Sequence, residues 1–494
     1  MRTILFFSIF LIFLASCAVT KTPEKEFRGV WIATVANIDW PKNPNDSSEK
    51  KKKDFITILD FYQELNFNAA IVQVRTAGDA FYQTDLAPWS KYLSGKEGEA
   101  PQGLDDPLPW MIKETHKRGM EFHAWLNPYR ATFDLDTMKL SRDHDFYQHP
   151  DRMVKYGKKY YYNPGLPKVR EKFVKVVEEL VVKYELDAIH FDDYFYPYKI
   201  EGEVFNDSLA FQTYGLPNQS LEDWRRSNVD SLVKNVYRTI KKNKPWVQFG
   251  ISPFGVWKNK STDPMGSDTR AGQTTFEDLY ADPVLWVKEG WLDYLAPQAY
   301  WSMDYPPASH RAVGSWWSNA TPSTNLYLGN GTYKIKNNSD KAWDKKNEIP
   351  KQLTFARDQK NINGNIFFSA KSLIGQHKKV VKTLKRKFYR FPAENPATPQ
   401  RTSREIQLPG IESTQKQNET LNICISHTDS VPRFLNYYQL NADEKQLIGK
   451  EYLSESQNSG CFQLKLTKKQ QRNEVGISIS DAYGNESAVL PLNF

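Results

Sequence analysis

From residue 27 to about residue 390, short apolar runs typical of buried strands alternate with segments whose apolar residues recur at helical spacing. The strand-like runs are 29–35, 69–75, 121–127, 187–194, 247–252, 294–300, 325–329 and 365–369. The segments between them predict helices at 54–65, 107–118, 168–184, 221–242, 351–361 and 373–387. Eight strands with helical crossovers predict an α/β fold, a (β/α)8 TIM-type barrel. A doubly wound sheet is the main alternative, although no glycine-rich phosphate loop follows the first strand.

Alternation within the strands indicates where the chemistry lies. Strand side chains point alternately to opposite faces, and one face of each of four runs is apolar whereas the other turns polar towards its end. Purely structural parallel strands would be apolar on both faces, so the pattern predicts a lumen that opens into a polar site at the carboxyl ends of the strands. The lumen side chains predicted in this way are Gln73, Arg75, His123, Trp125, Asn127, His190, Asp192, Gln248 and Ser252.

The fourth strand ends in Asp192 and Asp193, the strongest catalytic candidates. Adjacent like charges make each other costlier to ionise, so one carboxyl can hold a proton near neutral pH, as a general acid must. The alternative is structural, with Asp193 capping a turn and Asp192 paired to Arg75. Hydrogen-bonding and aromatic side chains near the same strand ends suit a sugar, and they are the predicted substrate-binding residues: Arg75, Asn127, Tyr129, Arg130, His190, Tyr194, Tyr196, Ser252, Gln298, Tyr300 and Trp301.

Other chemistries have weaker support. His123 and His190 share the lumen face, but two hydrogen-bonded histidines are a simpler interpretation than a metal pair, so no metal and no cofactor are predicted. No nucleophile elbow or phosphate loop supports acyl or phosphoryl transfer. A second carboxylate could come from residues that follow other strands, namely Asp39, Asp79 and Asp304.

The N-terminus predicts export. Residues 1–16 combine Arg2 with the apolar run 4–14. Their last three residues and the following Cys17 form Leu14-Ala15-Ser16-Cys17, which resembles the bacterial lipobox. This predicts a signal peptide, lipidation of Cys17 that anchors the protein to a membrane, and a polar tether over 17–26. Because Ala18 is not acidic, the expected place is the outer membrane of the cell envelope, facing the periplasm. There Cys424 and Cys461 could form a disulfide or remain two separate buried thiols.

Composition bounds the remaining classes. With 494 residues, 40% of them hydrophobic and 25% charged, the chain is neither disordered nor a disulfide-stapled miniprotein. Aromatic residues reach 14%, which suits stacking on sugars. The net charge is +8, but positive and negative residues are interspersed along the chain, so this charge does not require a nucleic acid partner. Residues 371–390 carry eight Lys or Arg and no acid, which we interpret as a solvated outer face of the last barrel helix; contact with an anionic polymer or lipid is the alternative.

The sequence changes in character after residue 390. Prolines at 392, 396, 399 and 409 predict a linker over 391–409. Residues 410–494 hold short β-like runs separated by turn residues, which predict a small C-terminal β-sandwich of fibronectin type III kind. Whether this module binds polymer or acts as a spacer stays open.

Six stretches of the barrel region resemble the bacterial glycosyl hydrolase-like 10 family: FRGVW (27–31), WLNPYR (125–130), NPG (163–165), HFDDYFYP (190–197), SPFGVW (252–257) and PQAYW (297–301). The resemblance spans residues 27–390 and implies a (β/α)8 glycosidase on a secreted or lipidated protein. It further implies peptidoglycan glycan strands, particularly strands freed of stem peptides, as substrate, and division or wall-remodelling proteins as partners. The alternatives are a hydrolase of another polysaccharide and a non-catalytic glycan-binding envelope protein.

The expected mechanism follows from the acids. Common two-carboxylate barrels place a nucleophilic Glu after the seventh strand, where this chain has Gly329-Asn330-Gly331. An adjacent Asp pair after the fourth strand is instead similar to hexosaminidases that use the acetamido group of the substrate. By that analogy Asp192 orients the acetamide and Asp193 is the general acid. Inversion, with Asp39 or Asp304 as base, is the alternative.

Overall fold

The computed structural model of the protein describes residues 23–399, 403–429, 431–441, 444–454, 459–468, 470–472 and 474–492. The predicted signal peptide, Cys17 and most of the tether lie outside these residues. The strands up to residue 390 are β1 Phe27–Ile32, β2 Ala69–Arg75, β3 Glu121–Leu126, β4 Met153–Tyr156, β5 Lys159–Tyr162, β6 Ala188–Phe191, β7 Gln248–Ile251, β8 Tyr294–Leu295, β9 Asn325–Asn330 and β10 Gly364–Phe367.

Eight of these strands close into a barrel in the order β1-β2-β3-β6-β7-β8-β9-β10, with every neighbouring pair parallel. The predicted TIM-type barrel is thereby confirmed, and the doubly wound alternative is excluded. The strands β4 and β5 form a separate antiparallel hairpin in the long loop after β3.

The helices lie around the barrel: α1 Ser48–Gln63, α2 Lys91–Ser94, α3 Pro107–His116, α4 Asp145–Gln148, α5 Pro167–Lys183, α6 Ser208–Tyr214, α7 Leu221–Asn243, α8 Thr275–Asp278, α9 Pro283–Lys288, α10 His310–Ala320, α11 Glu348–Asp358 and α12 Lys378–Thr383. A π turn, Leu384–Phe388, continues α12. The predicted start of this last helix at residue 373 is too early, because Gly375 and His377 adopt left-handed backbone angles. None of the helices in the described part of the chain is long and apolar enough to cross a bilayer.

Alternation along the strands separates two apolar layers, so the lumen is more apolar than the polar face predicted from the sequence. Trp31, Ile71 and Tyr294 belong to a cluster inside the lumen, whereas Val72 and Leu295, each next to one of them in the chain, pack against the surrounding helices. Burial on both sides of the strands holds the barrel rigid, so side chains at the strand ends are carried on fixed supports.

In the described part of the C-terminal module there are seven strands: β11 Gly410–Gln417, β12 Thr420–Ser426, β13 Pro432–Asn441, β14 Glu444–Tyr452, β15 Ser459–Lys465, β16 Glu474–Asp481 and β17 Leu490–Pro491. They make two antiparallel sheets, β11-β12-β15 and β14-β13-β16-β17, which share one apolar core. Cys424 and Cys461 are directly opposite each other on β12 and β15 and are joined by a disulfide.

This module packs on the barrel end where the strands begin. The guanidinium of Arg433 lies 2.9 Å from the carboxylate of Asp187, which precedes β6. The ring of Tyr452 stacks on His116 with centroids 3.8 Å apart, and Asn325 at the start of β9 donates to the linker carbonyl of Ala397. The module therefore closes the amino-terminal end of the barrel and leaves the carboxyl end open.

Candidate active site

A cavity of about 310 Å³ opens at the carboxyl ends of the barrel strands. Among the predicted site residues, those that line it are Arg130, Asp192, Asp193, Tyr194, Ser252, Gln298 and Tyr300. The other lining residues, which were not assigned to the site from the sequence, are Trp31, Val35, Ile38, Gln73, Trp125, Tyr333 and Phe368. The cavity thus combines two carboxyls with amide groups and an aromatic wall, the composition that suits a sugar.

Asp192 is held by donors on every side. Its carboxylate accepts hydrogen bonds from the Trp125 indole (3.1 Å), the Asn127 side-chain amide (3.1 and 3.3 Å) and the backbone N–H of Tyr194 (3.3 Å). Each partner is a donor, and a deprotonated carboxylate accepts from all of them without conflict. Asn127 is itself positioned, because its carbonyl oxygen accepts from the backbone N–H of Arg130.

Asp193 has partners of a different kind. The phenol of Tyr198 hydrogen-bonds its carboxyl group, and the side-chain amide of Gln298, which donates to the carbonyl of Ser252, lowers the pKa of Asp193. A phenol hydroxyl can donate or accept, so the contact with Tyr198 survives in either protonation state of Asp193. Tyr198 was not predicted from the sequence, although it lies only two residues after Tyr196.

The electrostatics of the pair favour one shared proton. Burial raises the pKa of Asp192 to about 7, and the neighbouring charge of Asp193 contributes to the rise. Burial also raises the pKa of Asp193, against the opposing effect of its hydrogen bond from Tyr198. Near neutral pH the two carboxyls together retain a proton, and the donors around Asp192 favour Asp193 as the group that holds it.

One cation faces the pair. The guanidinium of Arg130 lies over the ring of Tyr194, 4.6 Å from its centroid, and donates to the carbonyl of Thr76 at 3.3 Å. Its charge lowers the pKa of Asp192 and of Asp193. The stacking on Tyr194 keeps this charge at the cavity wall.

Gln73 presents an amide donor to the cavity. Its side-chain oxygen accepts from the backbone N–H groups of Thr34 (3.2 Å) and Val35 (3.0 Å). Because both contacts occupy the oxygen end of the amide, the NH2 end is the one that faces the cavity that Gln73 lines.

Asn127 and His190 support the cavity from behind, and neither is part of its surface. Asn127 acts through Asp192, as described above. His190 is fully buried beneath the floor, where it contacts Trp31 (3.2 Å) and Ser252 (3.0 Å). His123 and His190, which the sequence favours as hydrogen-bonded histidines over a metal pair, are bridged by the hydroxyl of Tyr294, 2.9 Å from each ring. No group of His, Cys, Asp or Glu within the described residues converges as metal ligands would.

The prediction that Arg75 shares the lumen face is wrong. A β-bulge between Gln73 and Arg75 shifts the register, so that Arg75 is level with the outward-facing Leu126. It lies buried under the loops, where its guanidinium donates to the backbone carbonyl of Asp79, and it does not pair with Asp192.

Three aromatic predictions also need correction, because these side chains pack beside the cavity and do not line it. The ring of Tyr129 is buried, and the hydroxyl of Tyr196 contacts Asp207 behind the wall. Trp301 packs edge-on against Phe254, with ring centroids 5.7 Å apart.

The three residues that the sequence offers as a second catalytic carboxylate lie outside the cavity. Asp39 is buried, and it accepts from Ser369 and from the backbone N–H groups of Ala33 and Lys371. Asp79 is tied to its own loop, and the exposed Asp304 pairs with Arg311. None of the three carboxylates lines the cavity in the described structure.

Comparison with known proteins identifies the family of the chain. The profile of the glycosyl hydrolase-like 10 family matches residues 26–345. Glycosyl hydrolase YngK of Bacillus subtilis (strain 168) is 46% identical over 380 residues, which cover 76% of this chain and 74% of that protein. Glycosyl hydrolase DigH of Escherichia coli (strain K12) is 37% identical over 374 residues, 71% of this chain and 84% of that protein.

Among solved structures, the glycoside hydrolase domain of PgaB (BpsB) from Bordetella bronchiseptica aligns with a TM-score of 0.48 at 11% identity, over 74% of this chain and 99% of that one. The family profile covers more than half of the chain, and both sequence relatives are named glycosyl hydrolases. The chain therefore belongs to the glycosyl hydrolase-like 10 family and is a glycoside hydrolase.

Proposed function

We propose that this enzyme cleaves glycan strands of peptidoglycan by substrate-assisted catalysis. The observation that carries the proposal is the acid content of the cavity: among the residues that line it in the described structure, Asp192 and Asp193 are the only carboxylates. A retaining glycosidase that lacks a carboxylate nucleophile of its own needs another nucleophile, supplied by its substrate. The 2-acetamido group of peptidoglycan sugars can supply it.

Asp193 is the general acid in this mechanism. It donates its proton to the glycosidic oxygen while the acetamido carbonyl oxygen attacks the anomeric carbon, so the bond to the leaving sugar breaks as a ring closes. Asp192, held as a carboxylate by Trp125 and Asn127, accepts the acetamide N–H and stabilises the positive charge that develops. Water then opens the ring, and Asp193 takes back a proton.

The wall of the cavity favours peptide-free strands. Trp31, Tyr300 and Phe368 form an edge-to-face and stacked aromatic cluster on one side, with ring centroids 5.7–6.4 Å apart. Flat apolar rings suit the faces of sugar rings, whereas a charged stem peptide on each muramyl unit would have to be accommodated within about 310 Å³. Strands from which an amidase has removed the peptides avoid that conflict.

Product analysis tests the function. The chain from residue 18 would be incubated with intact sacculi and with amidase-treated, peptide-free strands, and products identified by mass spectrometry. We expect disaccharide-spaced products from the stripped strands. We also expect Asp193→Asn to lower turnover by at least about 10²-fold, whereas Asp304→Asn, which changes an exposed acid outside the cavity, should leave it unchanged.

Each part of the proposal can fail separately. Undiminished turnover in Asp193→Asn would remove the assignment of the acid. Products with inverted anomeric configuration, followed by NMR, would exclude the acetamido nucleophile but leave the substrate standing. Cleavage of chitin oligosaccharides without cleavage of wall strands would mean that the enzyme acts on another acetamido polysaccharide.

The proposal also covers the location of the protein in the cell envelope. We propose that Cys17 is lipidated and anchors the enzyme to the outer membrane, facing the periplasm, where division or wall-remodelling proteins would be its partners. The C-terminal module is then a sandwich of fibronectin type III kind, which its sheets of three and four strands support. Labelling with a radioactive fatty acid in cells, lost in Cys17→Ala, tests the anchor; equal labelling of the variant would exclude it.

A further inference from the structure

The net charge of the protein is carried by one segment at the end of the barrel domain. All eight Lys and Arg residues between positions 371 and 390 are exposed. The whole chain has 66 Lys and Arg against 58 Asp and Glu, so this segment, which contains no acid, accounts for the entire net charge of +8. Lys385 pairs with Glu64 at 3.3 Å and the charge of Lys371 acts on the buried Asp39, whereas the described residues show no ion pair within 4 Å for the other six. We call this surface the basic face.

A groove of about 340 Å³ runs along the basic face. Lys378, Lys382, Lys385 and Arg386 are on its rim, and their spacing places them on one side of the helical segment.

The floor of the same groove is apolar. It is formed by Phe61 of α1 with Leu373 and Val381. A solvated helix face needs no apolar groove between its cations. The combination matches an amphiphile, with an anionic head group and hydrocarbon behind it, better than it matches a wholly polar polyanion.

The basic face ends where the N-terminal segment enters the fold. Just after the last of its cations, the carbonyl of Phe391 accepts from Arg28 at 2.7 Å, and the backbone N–H of Glu394 donates to the carbonyl of Glu24 at 3.0 Å. The described chain therefore begins, at residue 23, beside this surface. Seven extended residues reach roughly 25 Å, so an acyl chain on Cys17 would be held close to it.

We propose that the basic face docks on a bilayer surface that contains anionic phospholipid. Each Lys or Arg near such a surface contributes about 1 kcal/mol of attraction, and the groove admits part of a lipid between its cations. The consequence is an enzyme held with one side of its barrel against the membrane. This inference does not depend on the glycosidase proposal, and its test does not use activity.

Vesicle flotation tests the docking. The chain from residue 18, which contains every described residue and lacks the acylated cysteine, would be mixed with phosphatidylcholine vesicles with or without one third phosphatidylglycerol. We expect binding only to the anionic vesicles and loss of binding at about 0.5 M salt, since surface attraction is screened. Lys378→Gln with Lys382→Gln and Arg386→Gln should weaken the partition coefficient by about 100-fold.

A matched triple variant controls for net charge. Lys341→Gln, Lys345→Gln and Lys346→Gln remove three exposed cations from a different loop, and we expect less than about a threefold change. Unfolding midpoints of both triple variants should equal that of the parent, which excludes misfolding. Equal binding to neutral vesicles, or equal losses in both triple variants, would overturn the proposal. Retention on immobilised polyphosphate without vesicle binding would also overturn it, and would assign the basic face to a soluble polyanion.

Discussion

The indole N–H of Trp31 donates a hydrogen bond to Nε2 of His190 across 3.2 Å, where the lumen of the barrel meets the cavity. An indole nitrogen can only donate, so this imidazole nitrogen must be an acceptor. His190 is therefore neutral, with its proton on Nδ1. Burial agrees with this state, because it holds the pKa of His190 well below the usual value.

The same reasoning assigns donor and acceptor in the three hydrogen bonds that continue from His190 into the lumen. Nδ1–H of His190 donates to the hydroxyl of Tyr294 at 2.9 Å, and that hydroxyl then donates to Nδ1 of His123, also at 2.9 Å. Nε2–H of His123 completes the series by donating to Glu121 at 3.0 Å. The lumen thus holds one directed chain of hydrogen bonds, which supports Trp31 from the far end of the barrel.

Removing the central hydroxyl should be costly. Tyr294→Phe leaves two buried imidazole nitrogens without a partner, and we expect the free energy of unfolding to fall by about 2–4 kcal/mol. Tyr82→Phe is the matched control, since its hydroxyl is buried with no hydrogen-bond partner in the described structure; there we expect a change below about 0.5 kcal/mol. Urea denaturation measures both, and equal losses would contradict the directed chain.

The raised pKa values of the aspartate pair predict the alkaline limb of the pH profile. A raised pKa means that the shared proton persists up to about pH 7, the value for Asp192. Above that pH the pair loses the proton that the general acid must deliver, so kcat/KM should fall. Initial rates on soluble peptide-free glycan across pH 5–9 measure the limb. A rate that stays level to pH 9 would show that no carboxylic acid delivers the proton.

Two variants should move that limb in opposite directions. Asp192→Asn removes a neighbouring negative charge, which lowers the pKa of Asp193 and shifts the limb to lower pH in the residual activity. Tyr198→Phe removes a hydrogen bond that lowers the pKa of Asp193, so its limb should shift to higher pH. Shifts of the same sign in both variants would contradict Asp193 as the acid.

The barrel and the lumen position of Asp192 could be predicted because both depend on regular alternation along the strands, whereas Asp193 was a candidate because it directly follows Asp192. The position of Arg75 could not be predicted, because Val74 is the extra residue of a β-bulge. Apolar and polar residues continue to alternate through the bulge, so the sequence gives no sign of it. Gln73 was placed on the correct face, but its role depends on which end of its amide is occupied. That is decided by backbone N–H groups of Thr34 and Val35, about 40 residues earlier in the chain.

Gln73→Glu separates anchoring from substrate contact. A carboxylate oxygen can keep both hydrogen bonds from Thr34 and Val35, while the second oxygen replaces the NH2 group that faces the cavity. Because an acceptor then meets the acceptor oxygen of a sugar, we expect kcat/KM to fall by at least about 10-fold at the optimum pH of the variant. The unfolding midpoint should change little. Full activity would mean that Gln73 serves only to hold the loop.

The contact between the module and the barrel makes a prediction about stability. Asp187 is buried, which would raise its pKa, but Arg433 and His116 outweigh burial and hold the pKa of Asp187 well below its usual value. A carboxylate with a depressed pKa stabilises the fold above its unfolded pKa, and that contribution is lost as the pH falls below about 4.

Arg433→Leu should therefore lower the free energy of unfolding by about 3–5 kcal/mol at pH 7, because it leaves a buried carboxylate without its cation. The deficit should shrink towards pH 4, because Asp187 of the folded variant takes up a proton there, whereas the folded parent keeps its ion pair. All 14 Trp residues precede residue 391, so tryptophan fluorescence in urea reports the barrel although the substitution is in the module. Arg311→Leu, which breaks an exposed pair with Asp304, should cost less than about 1 kcal/mol. If Arg433→Leu leaves the unfolding transition of the barrel unchanged, the module does not stabilise the barrel. The expected shift would show that module and barrel unfold as one unit.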